Sequence, residues 1–424
     1  MFRTVSMRVA IRELTSGVSA EQTDRNDETI PVTRIEAVGD GFIHREKLGS
    51  LDPSNVPDRF LCHAGDIIYS NINSIPMIGR CAQVSEEDLP VAVGMNTLRF
   101  RPNLNRFDQR FFFWALYSDY MRAQARAWAK PAINQASLPQ SSIKALKIPM
   151  PPLVDQQNIA ALLDHETAEI DAFIADQKRL IKLLEERRAA TITHAVTKGL
   201  DPNVPMKDSG IEWVGDIPSE WELTRIKYLG TTHIGLTYSP EDIVEGPEQG
   251  RLVFRAGNIK NGNIDLSDSV YVNKEVPESL LTQRGDILIC ARSGSSSLIG
   301  KNALIDSKNE RQTFGAFMTV LRSRNNEYLY WLLNSSLFKA QVGLFITATI
   351  NQLTNATLNN FIVPLPPASV RSRIVDHLQA ESKKIDAAVS DAREAIALSK
   401  ERRAALISAA VTGQIDVSQT QSRS

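Results

Sequence analysis

The sequence predicts an α+β protein made of two copies of one unit. Each copy is a mixed α/β domain followed by a long helix, and the two helices pair antiparallel as a coiled coil about a pseudo-twofold. Three observations carry this. From Pro151 to Gly199, positions recur at alternating steps of four and three through Ile159, Leu163, Ile170, Phe173, Leu180 and Leu184, with Glu166 and Gln177 as polar interruptions, which is one seam of a long helix. From Pro366 to Gly413 the ladder returns through Ile374, Leu378 and Ile385, each displaced by one constant of 215 residues (374 − 159). Short blocks of the first 150 residues also recur after the first helix, in the same order.

Residues 1–150 are rich in short β-like runs, such as Cys62–Ser70, broken by Gly, Asn and Pro, and they read as the first compact domain. The first long helix occupies 151–199. A Pro-Pro pair bars helix upstream, Gly199 stands where a glycine C-cap would end it, and about 1.5 Å per residue makes it roughly 66 Å long. A single apolar stripe of that length needs a partner, and the second copy supplies one. Two core helices of one large domain, or two tandem modules with splayed helices, are the alternatives; the second would leave both stripes wet. Residues 200–365 hold a linker and the second domain. Arg34–Ile43 matches Arg255–Ile264, Gly65-Asp66-Ile67 matches Gly285-Asp286-Ile287, and Ile133-Asn134-Gln135 matches Ile350-Asn351-Gln352. The linker Asp201–Gly230 carries Ile211, Trp213, Val214, Ile217 and Trp221, too many large apolar residues for a free tether. They dock on the helix pair or the second domain, or they meet a partner protein, for which Trp213 and Trp221 are the candidates. The second long helix covers 366–413, and 414–424 is a tail expected to be disordered.

With 424 residues, 42% of them hydrophobic, the chain has ample material for two cores. Its net charge of −1 means that any nucleic-acid surface must come from local clustering of Lys and Arg. Three cysteines with no CxxC pair fit a reducing compartment, and no signal peptide or long apolar run is present, so a cytoplasmic location without membrane contact is expected. No nucleotide-binding loop, HExxH, GxSxG or adenine-methylation motif [DNS]PP[YFW] occurs, and the six histidines are scattered, so no catalytic or metal residue is assigned. Asp66 and Asp286 recur in the repeated Gly-Asp-Ile, which reads as a turn before a buried strand rather than a carboxylate site.

Binding loops are easier to argue than catalysis. Ser70–Ser74 follows one strand-like run, and Ala291–Ser297 follows its counterpart; the strand repeats while the loop does not. One scaffold with different loops in equivalent places suits two readers of different targets. Arg, Lys, Asn, Gln and Ser can pair with phosphates or base edges. The candidates are Arg80, Lys130, Asn134 and Gln135 in the first domain, and Arg255, Arg292, Ser293, Lys301, Asn351 and Gln352 in the second.

Taken together, the Pro-Pro start, the helix end EERRAATITHAVTKG, the following KDSGIEWVGDIPSEWELTRIKYLG, and the closing NNFIVPLPP and SKERRAALISAAVTGQ resemble the specificity subunit of type I restriction-modification systems, over about Thr33 to Gln414. The resemblance implies two target recognition domains held apart by spacer helices, each reading one half of a split, asymmetric site in double-stranded DNA. It further implies a non-catalytic chain, without a cofactor of its own, docking two methyltransferase and two restriction/translocase subunits that use S-adenosylmethionine, ATP and Mg. Many members open with a copy of the SGIEWLGxIPxHW block; here only Ser6–Leu14 stands in that place, so a shortened start is expected. A coiled-coil adaptor without DNA specificity is the competing function.

Overall fold

The computed structural model describes residues 1–133, 135–345 and 352–415. They form two compact units, one of the described residues within 1–177 with 393–415 and one of those within 178–392, so each unit takes about half of each long helix. The helices run Leu153–Lys198, 46 residues, and Ala368–Thr412, 45 residues. Both end on a glycine in the left-handed region, Gly199 at φ +82° and Gly413 at φ +74°. An aromatic ring lies over each glycine, Trp221 at the first and Phe2 at the second, where a Cβ would approach it to 3.3 and 2.9 Å. Trp221 and Phe2 are equivalent in the repeat, because the strands that follow them, Glu222–Arg225 and Thr4–Ser6, each pair antiparallel with the strand that leads into a long helix. The N-terminal edge of the first domain is thus closed by Thr4–Ser6 on Lys147–Pro149.

The same four-stranded antiparallel sheet is built twice. In the first unit its order is Ile11–Ser16, Thr97–Pro102, Ile67–Ser70, Cys81–Gln83; in the second it is Gly230–Ile234, Met318–Ser323, Ile287–Cys290, Asn302–Leu304. The first core joins the Phe111–Leu116 helix to Ile159 and Leu163 of one long helix and to Ile407, Ala410 and Val411 of the other. The second joins Tyr328–Leu333 to Ile192, Ala195 and Val196 and to Ile374, Val375 and Leu378. Within each unit, an early part of one long helix therefore meets a late part of the other, which is antiparallel pairing.

Ion pairs along the helices repeat with their donors exchanged. In the first unit Arg403 of the second helix holds Asp171 of the first at 3.0 Å, and Arg402 lies 3.7 Å from Glu166. In the second unit Arg188 of the first helix holds Asp386 of the second, and Arg187 lies 3.6 Å from Glu381. All four pairs are related by the 215-residue shift, so the sequence repeat extends to the ion pairs that hold the helices together within each unit.

The seam departs from expectation at two positions. Ile159, Leu163, Ile170, Ile374, Leu378 and Ile385 are buried and Leu184 is half-buried, but Phe173 is 44% and Leu180 42% exposed. The buried line runs through Leu163, Thr167, Ile170 and Ile174, then through the half-buried Gln177, Ile181 and Leu184. Phe173 and Ile174, like Leu180 and Ile181, are adjacent apolar residues, and both frames share Leu163, Ile170, Gln177 and Leu184 seven apart. Packing selects the β-branched neighbour in each case.

The linker residues resolve similarly. Val214, Ile217 and Trp221 lie in the second core, with Ile211 packed against it, while Trp213 stays 48% exposed. Trp221 is therefore corrected from docking candidate to core residue: at 3% exposure its ring covers the end of a helix and has no face left for a partner. Among the described residues, no helix is long and apolar enough to cross a membrane.

Candidate nucleic-acid interface

In the first unit a small sheet projects beyond the four-stranded one. Lys130–Ala132 and Gln135–Ser137 form a hairpin, and Gln135–Ser137 also pairs with Ile72–Asn73. This brings Gln135 to the Asn71–Ser74 loop, where Leu138 N–H donates to the Asn71 carbonyl at 2.8 Å. A groove of about 490 Å³ opens there, lined by Arg80 and Gln135 together with Glu36, Asn73, Ser74 and Met77. Arg80 is steered by Asp40 at 3.6 Å, and Asp40 also receives Arg122 at 3.2 Å. Arg122 in turn stacks over Tyr117 at 4.4 Å. Two of the four candidates in this unit, Arg80 and Gln135, thus share one groove. Lys130 is exposed on the hairpin, and Asn134 lies outside the described residues.

The second unit brings a different set to the equivalent place. Arg292 and Gln352 are bridged antiparallel, Ser293 follows Arg292, and Leu353 N–H donates to the Ala291 carbonyl at 2.7 Å, as Leu138 does to Asn71. The Arg292 guanidinium lies over the exposed Phe317 ring at 5.2 Å. Lys301 is exposed just before the strand Asn302–Leu304, its carbonyl accepting from Cys290 N–H at 2.8 Å. Arg255 stands apart, paired with Asp268 at 2.8 Å. Asn351 lies outside the described residues. Glu36 and Phe317 are members of these surfaces that the sequence did not single out, because they carry no periodicity, whereas Asn73 and Ser74 belong to the Ser70–Ser74 loop read as a binding loop.

The repeated aspartates hold the scaffold. Asp66 accepts Arg101 through both carboxylate oxygens at 2.7 and 2.9 Å and closes its turn on His63 N–H at 2.8 Å. Asp286 does the same with Arg322 at 2.9 and 2.7 Å and with Gln283 N–H at 2.9 Å. The hydrogen bond that each arginine donates to its aspartate raises the arginine's pKa above its usual value. With both oxygens engaged, each carboxylate ties its turn to a strand of the four-stranded sheet. Replacing Asp286 by Ala leaves Arg322 without its counter-charge. The expected loss is about 3 kcal/mol, at the low end because Arg322 keeps 24% of its side chain exposed. Asp286→Asn retains the turn acceptor and should cost less; urea unfolding midpoints at equal m-value measure both.

The cysteines are buried, and burial pushes Cys62 and Cys81 up to about 12 and Cys290 to about 11, so all three stay thiols at neutral pH. Among the described residues, no cluster of His, Cys, Asp or Glu could hold a metal ion.

The family model described as "Type I restriction modification DNA specificity domain" matches this chain twice, over residues 15–183 and 218–391. The chain is 27% identical to the putative type I restriction enzyme MjaX specificity subunit of Methanocaldococcus jannaschii, over 86% of this chain and 83% of that one. It is 30% identical to the type I restriction enzyme EcoKI specificity subunit of Escherichia coli K12, over 47% of this chain and 44% of that one. A solved chain described under complex assembly and conformational transition of the type I R-M system superposes with a TM-score of 0.74, at 17% identity and 98% coverage of both chains. The HsdS subunit from Thermoanaerobacter tengcongensis superposes with 0.54, also at 17% identity, over 98% of this chain and 97% of that one. These two likenesses speak for the fold, and the two family matches, one in each unit and each running from the globular part into a long helix, speak for descent. The chain thus belongs to the type I restriction-modification DNA specificity family, as a specificity subunit with two such domains rather than a catalytic subunit.

Proposed function

We propose that each unit reads one half of a bipartite, asymmetric target in double-stranded DNA, and that the long helices set the gap between the halves. One observation carries the reading: around a repeated glutamine, Gln135 in one unit and Gln352 in the other, the same scaffold presents unlike side chains, Arg80, Asn73 and Ser74 in the first unit and Arg292, Ser293 and Phe317 in the second. Two identical readers would recognise a symmetric target, whereas two different ones recognise an asymmetric one. Lys130, Lys301 and Arg255 would contact phosphates, and Asn134 and Asn351 belong to the same loops by sequence.

The family context supplies the partners of this reading. Two methyltransferase subunits dock on the chain and two restriction/translocase subunits join them, with S-adenosylmethionine, ATP and Mg used by those partners in the cytoplasm. Trp213, half-exposed beside a packed core, is the side chain assigned to methyltransferase docking.

The test is DNA binding by the chain assembled with its methyltransferase. Affinity should fall linearly in log–log form as salt rises, with a slope set by the number of phosphates contacted. Methylation-site sequencing in a host carrying the system should then return two unlike half-sites. Salt-independent affinity, or a symmetric target, would refute the reading; the first result would favour an adaptor.

A further inference from the structure

The hairpin of the first unit ends in a residue that its surroundings do not explain. Ile133 is 94% exposed at the turn, and Pro131 and Ala132 before it are exposed as well. A turn in water ordinarily takes Gly, Asn or Asp, and a branched aliphatic side chain there gains nothing from the fold. Nor is the hairpin a loose tether. Pro131 pairs with Ala136 and Lys130 with Ser137, Ala136 pairs again with Asn73, and Ala136 and Leu138 are buried in the core at 1% and 0% exposure. Pro131 stands on the edge strand, where its missing N–H costs no ladder bond. The core thus fixes the direction in which the tip points.

Two further facts identify the occupant. Exposed Lys130 opens the hairpin, and Gln135 at its base lines the groove with Arg80, Asn73 and Ser74, so cationic and hydrogen-bonding side chains share this hairpin and groove with an apolar point. The sequence also repeats Ile-Asn-Gln in the second unit, at Ile350-Asn351-Gln352, while the loops around it differ. Ile350 itself lies outside the described residues. A side chain common to two readers of different bases cannot encode the difference between them. Its task must be one that both half-targets require.

We propose that Ile133 is an apolar wedge that enters the first half-target and parts a base step, opening the groove to Gln135 and Arg80. Apolar side chains inserted between base pairs partly unstack them, and strands anchored in the core and carrying Lys130 can drive and hold one there. The proposal deepens the reading of the first unit as a DNA reader and rests on it.

The experiment uses the chain assembled with its methyltransferase, on duplexes carrying 2-aminopurine at successive positions of the first half-target other than the methylated adenine. Wild type should raise fluorescence at one step. Ile133→Ala should abolish that rise and weaken binding roughly ten- to a hundred-fold, the scale of one buried aliphatic side chain, while the salt slope and the bases read stay unchanged. Ile133→Leu should restore both readouts. Wild-type affinity in Ile133→Ala, a quenched probe at every step in wild type, or relaxation at a single thymine with stacking intact would each overturn the wedge alone. Absence of DNA binding by the wild-type assembly would overturn the reader assignment, and the wedge with it.

Discussion

Exchanging residues of about 60–140 for the matching stretch of another specificity subunit should change one half of the recognised target and leave the other half as it was. The stretch contains Arg80, Lys130 and Gln135, the Asn71–Ser74 loop and the Ile133 tip, and it contains none of Arg292, Ser293, Phe317 or Gln352. It also contains the face of the Gln109–Tyr117 helix that packs on Ile159, Leu163 and Ile407. The graft must therefore keep apolar residues at Phe111–Leu116, because a cavity there costs about 3–5 kcal/mol per large side chain lost. Methylation-site sequencing of the chimera gives the answer. If both halves of the target change together, the units are not independent readers.

A matched insertion of seven residues into both long helices should lengthen the unspecified gap by about three base pairs. Seven residues add about 10.5 Å of helix, and B-DNA rises about 3.4 Å per base pair. The insertion belongs near Gln177 and Ala392, so that Arg403–Asp171 and Arg188–Asp386 both remain whole, and seven residues keep the seam in phase. Four residues add only about 6 Å, turn everything beyond them by roughly 40° and put a stutter in the packing. That variant should lengthen the gap less and bind more weakly. Lengthening one helix alone throws the two stripes out of register. An unchanged gap in an active seven-residue variant would show that the helices are not the ruler.

The repeat was legible because its strongest signals are long and redundant. A 46-residue helix repeats its pattern often enough to survive the polar positions Glu166 and Gln177, and the glycines at both ends announce themselves. What failed was the choice between neighbours. Phe173 against Ile174 and Leu180 against Ile181 cannot be separated by periodicity, since each pair straddles the stripe; only the packed partner decides. Trp221 failed for another reason: a large ring in a linker reads alike whether it meets a partner or caps its own helix. The fact that Trp221 stands where Phe2 stands in the other copy could have settled it, but aligning them requires the strand pairing that follows each. The grooves were half legible. Repeated Ile-Asn-Gln located Gln135 and Gln352, and the Ser70–Ser74 loop located Asn73 and Ser74, yet Glu36 and Phe317 join them only through the fold.

Each core also imposes an order on synthesis. Ile192, Trp221, Leu332 and Leu378 of the second core leave the ribosome within one continuous stretch, so that core can close while translation continues. The first core begins at Met7 but is completed by Ile407, Ala410 and Val411, and the backbone N–H of Phe2 bonds the carbonyl of Thr412. The domain made first is therefore the one finished last. Throughout elongation Ile159 and Leu163 can meet the Phe111–Leu116 helix but lack Ile407, Ala410 and Val411, and completing the core requires bringing together residues some 250 positions apart in the chain, the slow, high-contact-order step of folding.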